Sequence, residues 1–309
     1  MPKYRDSLPQ MGETVFLTYV GMETDLIFTK GVDLPGFASY PLLETEQGRE
    51  TLRAYLRDLM AVARASGLGV ILESATWVAN EDRAAPLGYS PDQLVELNKA
   101  AIELMAELRQ AEGDLPTVIS ANVGPRDDAY APSAQMDATE AEAYHETQLA
   151  TLAETDADLI SAYTLAYPAE AIGLVRAARK FALPVIVSFT VETNGRLPTG
   201  ESLGQAIETV DKATDGYASY FMINCAHPDH LATTLNDAGG MSRVKGIVAN
   251  ASRCSHAELD QATELDSGNP EELGQQLADI RRRHPQISIV GGCCGTDMRH
   301  MTHIAKNVG

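Results

Sequence analysis

An α/β fold closed into a single (β/α)8 TIM barrel is what the sequence predicts, on three observations. Short β-branched apolar runs alternate eight times with longer stretches of helical spacing. Runs such as "PVIVSF" (184–189) carry no polar alternation, as parallel strands buried on both faces require. The 309 residues slightly exceed the ~250 typical of such barrels, and no linker-like stretch divides them. One barrel domain is therefore expected over residues 1–309. An open doubly wound sheet would need fewer units or a second domain.

The elements follow in order. "TVFLTYV" (14–20) reads as the first strand, and after a Gly/Pro-rich loop "GRETLRAYLRDLMAVARASG" (48–67) reads as an amphipathic helix ended by Gly67. "LGVILES" (68–74) is the second strand. The helix over 90–113 opens on a Ser cap with Pro in the first turn. Strands over 116–124, 158–165, 184–191 and 218–225 alternate with helices over 139–157, 168–183, 202–214 and 228–239. A strand over 243–250, a helix over 269–285, a strand over 287–292 and a helix over 296–308 complete the set.

With 43 acidic against 24 basic residues the formal net charge is −19. That excess argues against nucleic acid, whose phosphates are met by Lys and Arg, and against anionic membrane surfaces. No apolar run approaches the ~20 residues of a membrane span, and the first residues lack a signal-peptide layout. A cytoplasmic location is expected. Neither a G-x-G-x-x-G nor a P-loop pattern is present. A homo-oligomer is compatible with the sequence and not specified by it.

Four cysteines are too few for a disulfide framework in so long a chain. Cys225 ends the sixth strand and Cys293 and Cys294 follow the eighth, in "VGGCCGTD". Parallel barrel strands share one C-terminal mouth, so these residues are expected to meet there. Consecutive strand residues face opposite ways, and Gly291, Gly292 and Gly295 are expected to release the backbone so that both sulfurs converge. Three thiolates suit Zn2+ with one position left open. Coordination would hold a substrate thiol as thiolate, ready to attack an electrophilic carbon. Other readings stay open at this point: inert buried cysteines, a vicinal disulfide, or a closed structural zinc using Cys254 or His227.

At these residues the sequence resembles the homocysteine S-methyltransferase family. "GGCCGT" (291–296) is similar to its zinc-loop signature and "INC" (223–225) to its first zinc cysteine, with weaker matches at "NVGP" (122–125), "VSFT" (187–190) and "NGRLPTGESL" (194–203). The resemblance implies zinc on Cys225, Cys293 and Cys294, no catalytic residue beyond these ligands, and a role in methionine biosynthesis. It also implies two small-molecule partners: a thiol acceptor, homocysteine or another small thiol, and a sulfonium or ammonium methyl donor. No second domain large enough for a corrinoid is expected.

The departures fall on amino-acid recognition. Tyr19 and Glu23 stand where the family carries Asp and Gly, Tyr163 where it carries a Glu, and "ANASR" (249–253) replaces its loop after strand seven. Glu23, Asp25 and Glu73 are candidates to replace the lost carboxylates, and a shifted thiol specificity is expected. Trp77 is a candidate to face a cationic donor or simply to pack, and Asn224 a candidate to orient the loop. His227 is read either as a hydrogen-bond partner of a thiolate or as the cap of the next helix; His300 and His303 are read as packing or surface residues. The alternatives to methyl transfer are a zinc-dependent hydrolase or lyase, and a non-catalytic protein responding to thiols or zinc.

Overall fold

The computed structural model describes residues 1–232, 234–236 and 239–309. Eight parallel strands close into a barrel in sequence order: β1 (Phe16–Thr18), β2 (Gly69–Glu73), β3 (Thr117–Val123), β4 (Leu159–Leu165), β5 (Val185–Thr190), β6 (Phe221–Ala226), β7 (Val244–Ala249) and β8 (Ile289–Gly292). β1 closes the ring by pairing with both β2 and β8, Phe16 standing opposite Gly69 and Ile289. The predicted (β/α)8 barrel is what forms.

Strand alternation divides the apolar residues between two cores. Phe16, Ile71, Val118, Leu159, Ile186, Met222 and Ile289 fill the barrel interior. Leu17, Val70, Leu72, Ile119, Ile160, Val187, Ile223 and Val290 face outward beneath the helices. Each such side chain contributes about 1.5–3 kcal/mol on burial. The near-continuous apolar strand runs exist because both faces are covered.

Among the described residues seven long helices sheathe the barrel: α1 (Glu46–Ala65), α2 (Pro91–Glu112), α3 (Ala138–Ala153), α4 (Pro168–Lys180), α5 (Leu203–Thr214), α6 (Pro270–Arg283) and α7 (Met298–Val308). Their starts are set chemically. Ser90 with Gln93, Asp137 with Glu140 and Ser202 with Gln205 form reciprocal capping boxes that satisfy the free N–H groups of the first turn.

The helix expected over 228–239 does not form among the described residues; residues 233, 237 and 238 lie outside them. Short 3-10 turns at Pro228–His230 and Thr234–Asn236 stand there instead. Thr and Asn side chains compete with a helical backbone for hydrogen bonds. Here Thr234 donates to the Gly195 carbonyl (2.9 Å) and Asn236 to that of Ala232 (2.7 Å).

The N-terminal segment, which carries no predicted element, seals the end of the barrel opposite the mouth. Tyr4 and Leu8 pack against the interior cluster, and Gln10 donates to the Tyr220 hydroxyl (3.2 Å). Buried Asp158 anchors it, accepting from the N–H groups of Lys3 (2.7 Å), Tyr4 (2.8 Å) and Ile119 (2.9 Å) and pairing with Arg109 (2.6 Å).

Candidate metal centre

Cys225 reaches the mouth through a break in the strand pattern. Tyr220 and Met222 point into the barrel, and so does Asn224, whose Oδ1 accepts from the Thr164 N–H (3.0 Å) and the Ser188 hydroxyl (2.7 Å). Its Nδ2 donates to Thr164 Oγ1 (2.8 Å). The next residue should then face the helices. Instead Cys225 adopts a left-handed φ of 53°, the register against β7 shifts between Asn224 and Ala226, and its side chain joins the interior cluster. Thr164 on β4 is left-handed as well, at 64°. Such backbone costs a non-glycine residue about 1–3 kcal/mol and persists where the surroundings over-determine it. Asn224 is that constraint: it ties the two distorted strands to each other and to β5.

The glycines around the cysteine pair act differently from the sequence expectation. Gly295 takes a left-handed φ of 79°, whereas Gly291 and Gly292 do not. Those two are needed for close approach. A Cβ on Gly291 would lie 2.3 Å from the Thr18 carbonyl oxygen, and one on Gly292 2.2 Å from Thr296 Oγ1. Neighbours hold the loop on every side. Cys293 N–H donates to the Ala249 carbonyl (2.7 Å), Ala251 N–H to the Cys294 carbonyl (3.0 Å), and Gly295 N–H to Thr24 Oγ1 (3.1 Å).

The outcome is three sulfurs, on Cys225, Cys293 and Cys294, all within 4.8 Å of one another. Three sulfurs each ~2.3 Å from one zinc ion in a tetrahedral arrangement stand about 3.8 Å apart, so this donor set fits a thiophilic metal after a small contraction. The protons are shared unequally. Hydrogen bonds from Cys293 and Cys294, and then from Tyr130, hold the Cys225 thiol well below its usual range. Those same bonds to Cys225 push Cys293 and Cys294 well above theirs. All four cysteines are free, and exposed Cys254 stays outside the group. Buried His227 accepts from the Asp229 N–H (3.2 Å), capping the turn that follows.

The other candidates lie around this cluster. Glu23 is buried, accepting from the Tyr19 and Ser39 hydroxyls, and burial raises its carboxyl above the usual range. Asp25 pairs with Lys30 (3.1 Å) on the short π-helix Asp25–Thr29. Glu73 sits in the barrel beside Tyr163; its Oε1 accepts from Thr18 (3.3 Å) and Ser161 (3.2 Å), and burial pushes it up to about 7. Tyr163 packs with Cys225 and Cys293 in the interior cluster, its ring 6.1 Å from that of Tyr19. Trp77 touches both cores and carries the Arg83 guanidinium over its ring at 5.9 Å. His300 is buried, contacting the Ser267 carbonyl through Nε2 (2.8 Å), and packs as expected.

Two residues at the mouth had no part in the sequence reading. Tyr130, from the loop after β3, bonds to Cys225 and stacks on His256 with ring centroids 3.9 Å apart. His256 comes from the loop after β7 and lies 3.4 Å from Thr190 Oγ1. Their only signal was position in a loop that follows a strand.

Comparison with known proteins places the chain and its fold beside characterised relatives. The chain is 24% identical over 169 residues, 53% of its length, to "Homocysteine S-methyltransferase 1" of Arabidopsis thaliana, and 29% over 128 residues, 41% of its length, to "Methionine synthase" of Mycobacterium leprae. The matched segments span half of the first relative and a tenth of the second. The fold resembles that of the homocysteine methyltransferase MmuM from Escherichia coli, with TM-scores of 0.70 for its metallated form and 0.73 for its oxidized form, at 19% identity over 96% of each chain. No helix among the described residues is long and apolar enough to cross a membrane. The homocysteine S-methyltransferase family model matches residues 21–308, from the turn after β1 to the end of α7, and the chain belongs to that family.

Proposed function

We propose that the chain works as one barrel domain, a zinc-dependent S-methyltransferase that moves a methyl group from a sulfonium or ammonium donor to a small thiol. The observation that carries this reading is the approach of the Cys225, Cys293 and Cys294 sulfurs to within 4.8 Å at the barrel mouth. These residues would hold the zinc, which when bound would keep the acceptor sulfur deprotonated and nucleophilic at neutral pH.

The chain's own groups do the rest. Asn224 fixes the strained backbone of Cys225, and the hydrogen bonds to Ala249, Ala251 and Thr24 fix the other two cysteines. The acceptor sulfur bonds to the methyl carbon as the carbon–sulfur or carbon–nitrogen bond of the donor breaks, its electron pair leaving with the now neutral donor. Positioning and a water-poor site lower the barrier for such an in-line transfer. Tyr130 lies against Cys225 and helps to keep water from the sulfurs. Tyr19 and Tyr163 occupy places where the family carries carboxylates, which supports an acceptor pocket differing from the family's.

Elemental analysis of the purified protein beside Cys225→Ala tests the site. Mass spectrometry of a thiol panel with a sulfonium and a quaternary ammonium donor tests the reaction. Stoichiometric zinc lost in the variant, with methyl appearing on a thiol, is expected. Products without a transferred methyl would replace the proposal by hydrolysis or lysis, and full zinc loading without turnover by a sensor.

A further inference from the structure

Cys225 is only 4% exposed, and the loop side chain that hydrogen-bonds to its sulfur is Tyr130. Tyr130 belongs to residues 124–137, which join β3 to α3. The middle of this loop holds its own shape. Asp127 Oδ2 accepts from the Ser133 N–H (2.8 Å) and hydroxyl (2.6 Å) and from the Ala134 N–H (3.3 Å). Asp128 Oδ1 accepts from the N–H groups of Tyr130 (2.7 Å) and Ala131 (2.9 Å). Between Arg126 and Met136 only Ala129 is fully buried. A segment folded on itself and so little buried has its place set at its ends.

Both ends converge on one buried carboxylate, Glu170, in the first turn of α4. The Arg126 N–H donates to Glu170 Oε1 (2.8 Å). At the far end the Met136 N–H donates to the Tyr167 hydroxyl (3.1 Å), which itself donates to Glu170. His145 on α3, also buried, brings Nε2 to 3.1 Å from the same Oε1 and fixes the carboxylate between the two helices. The other ties are weaker. Arg126 and Asp82 pair in solvent (2.6 Å), Arg83 reaches the Asp127 carbonyl at 3.3 Å, and Asn80 the Pro125 carbonyl at 3.5 Å. Exposed pairs contribute little, whereas a buried hydrogen bond to a charge is costly to break. A buried carboxylate in turn needs its donors, so anchor and loop stabilise each other.

We infer that Glu170 is a positioning residue: it pins both ends of the loop that lays Tyr130 against Cys225, and so controls entry to the cysteines. The inference concerns access rather than the chemistry that follows, so it stands apart from the methyl-transfer reading.

The test follows the reaction of the metal-free full-length protein with an aromatic disulfide, read as absorbance of the released aromatic thiolate. Exposed Cys254 supplies the fast phase and an internal control; the buried cluster supplies the slow one. Glu170→Ala should speed the slow phase by about tenfold, the worth of a hydrogen bond to a charged group, and leave the Cys254 phase unchanged. Glu170→Gln keeps an oxygen for the Arg126 N–H and should return the rate most of the way to the parent's. In Tyr130→Ala the cover is already gone, so adding Glu170→Ala should change the slow phase no further. An unaltered slow phase in Glu170→Ala would overturn the inference. So would a double variant in which the two effects multiply, since Glu170 would then act otherwise than through Tyr130. Glu170→Gln reacting as fast as Glu170→Ala would remove the anchoring role. Should Glu170→Ala fail to fold, Tyr167→Phe, which frees only the Met136 end, carries the same cycle with Tyr130→Ala, with a smaller rise expected and the same outcomes decisive.

Discussion

Replacing Glu73 by Gln should stabilise the metal-free protein at alkaline pH and leave it nearly unchanged in acid. Burial inside the barrel raises this carboxyl from an ordinary 4.5 to about 7. Over that interval the folded chain binds a proton that the unfolded chain has released. The contribution of Glu73 to stability is therefore fully present below 4.5 and is lost as pH rises through about 7. At about 1.4 kcal/mol for each pH unit, the ionised side chain costs the folded state about 3 kcal/mol. Glutamine keeps an oxygen that can accept from Thr18 and Ser161 and carries no charge. Equilibrium urea denaturation of both proteins at about pH 5 and about pH 8.5 supplies the measurement, with the difference between the two pH values isolating the charge. The variant should be more stable than the parent by about 3 kcal/mol at the higher pH and by little at the lower. A stabilisation of equal size at both, or a variant that is weaker in alkali, would refute the account of Glu73 as a charge without a counter-ion.

Tyr130→Ala should uncover Cys225, so that an aromatic disulfide reacts with the metal-free cysteines on the order of tenfold faster, whereas Tyr130→Phe, which keeps the ring on His256, should change access little; equal rates in all three proteins would remove Tyr130 from the site. Asp158→Ala should lower stability by about 3–5 kcal/mol by stranding Arg109 in a part-buried site, and calorimetry showing an unchanged unfolding temperature would contradict the anchor assigned to it.

The barrel was legible because its strands are buried on both faces, so that apolar runs such as 184–189 stand out against the helical spacing between them. The meeting of Cys225 with Cys293 and Cys294 followed from topology, since parallel strands deliver their last residues to one mouth. What pattern could not supply was backbone detail. Cys225 turns inward through a left-handed conformation that nothing in "INCAHP" announces, because the device holding it, Asn224 on Thr164 and Ser188, spans three strands. Gly291 and Gly292 looked like hinges and prove to be places where neighbouring atoms leave no room for a Cβ. Glu23, Asp25 and Glu73 were equivalent as letters. Only the folded structure sets Glu73 inside the barrel beside Tyr163, while Glu23 binds two hydroxyls and Asp25 pairs with Lys30. The segment over 228–239 read as a helix by spacing, while its Thr234 side chain found a partner outside it, at Gly195, and its Asn236 side chain bonded to the backbone of Ala232 within it.

The anchoring of Lys3 and Tyr4 to Asp158, more than 150 residues away, sets a timetable for synthesis. At ~5–20 residues per second a ribosome needs on the order of ten to thirty seconds to deliver the far end of that clasp. Until then the segment that carries the greasy side chains of Tyr4 and Leu8 has no Asp158 to dock on. Lys3 and Tyr4 thus wait for a partner made well after them, and a chaperone that shields their segment in the meantime would raise the yield of folded protein without touching the mouth at all.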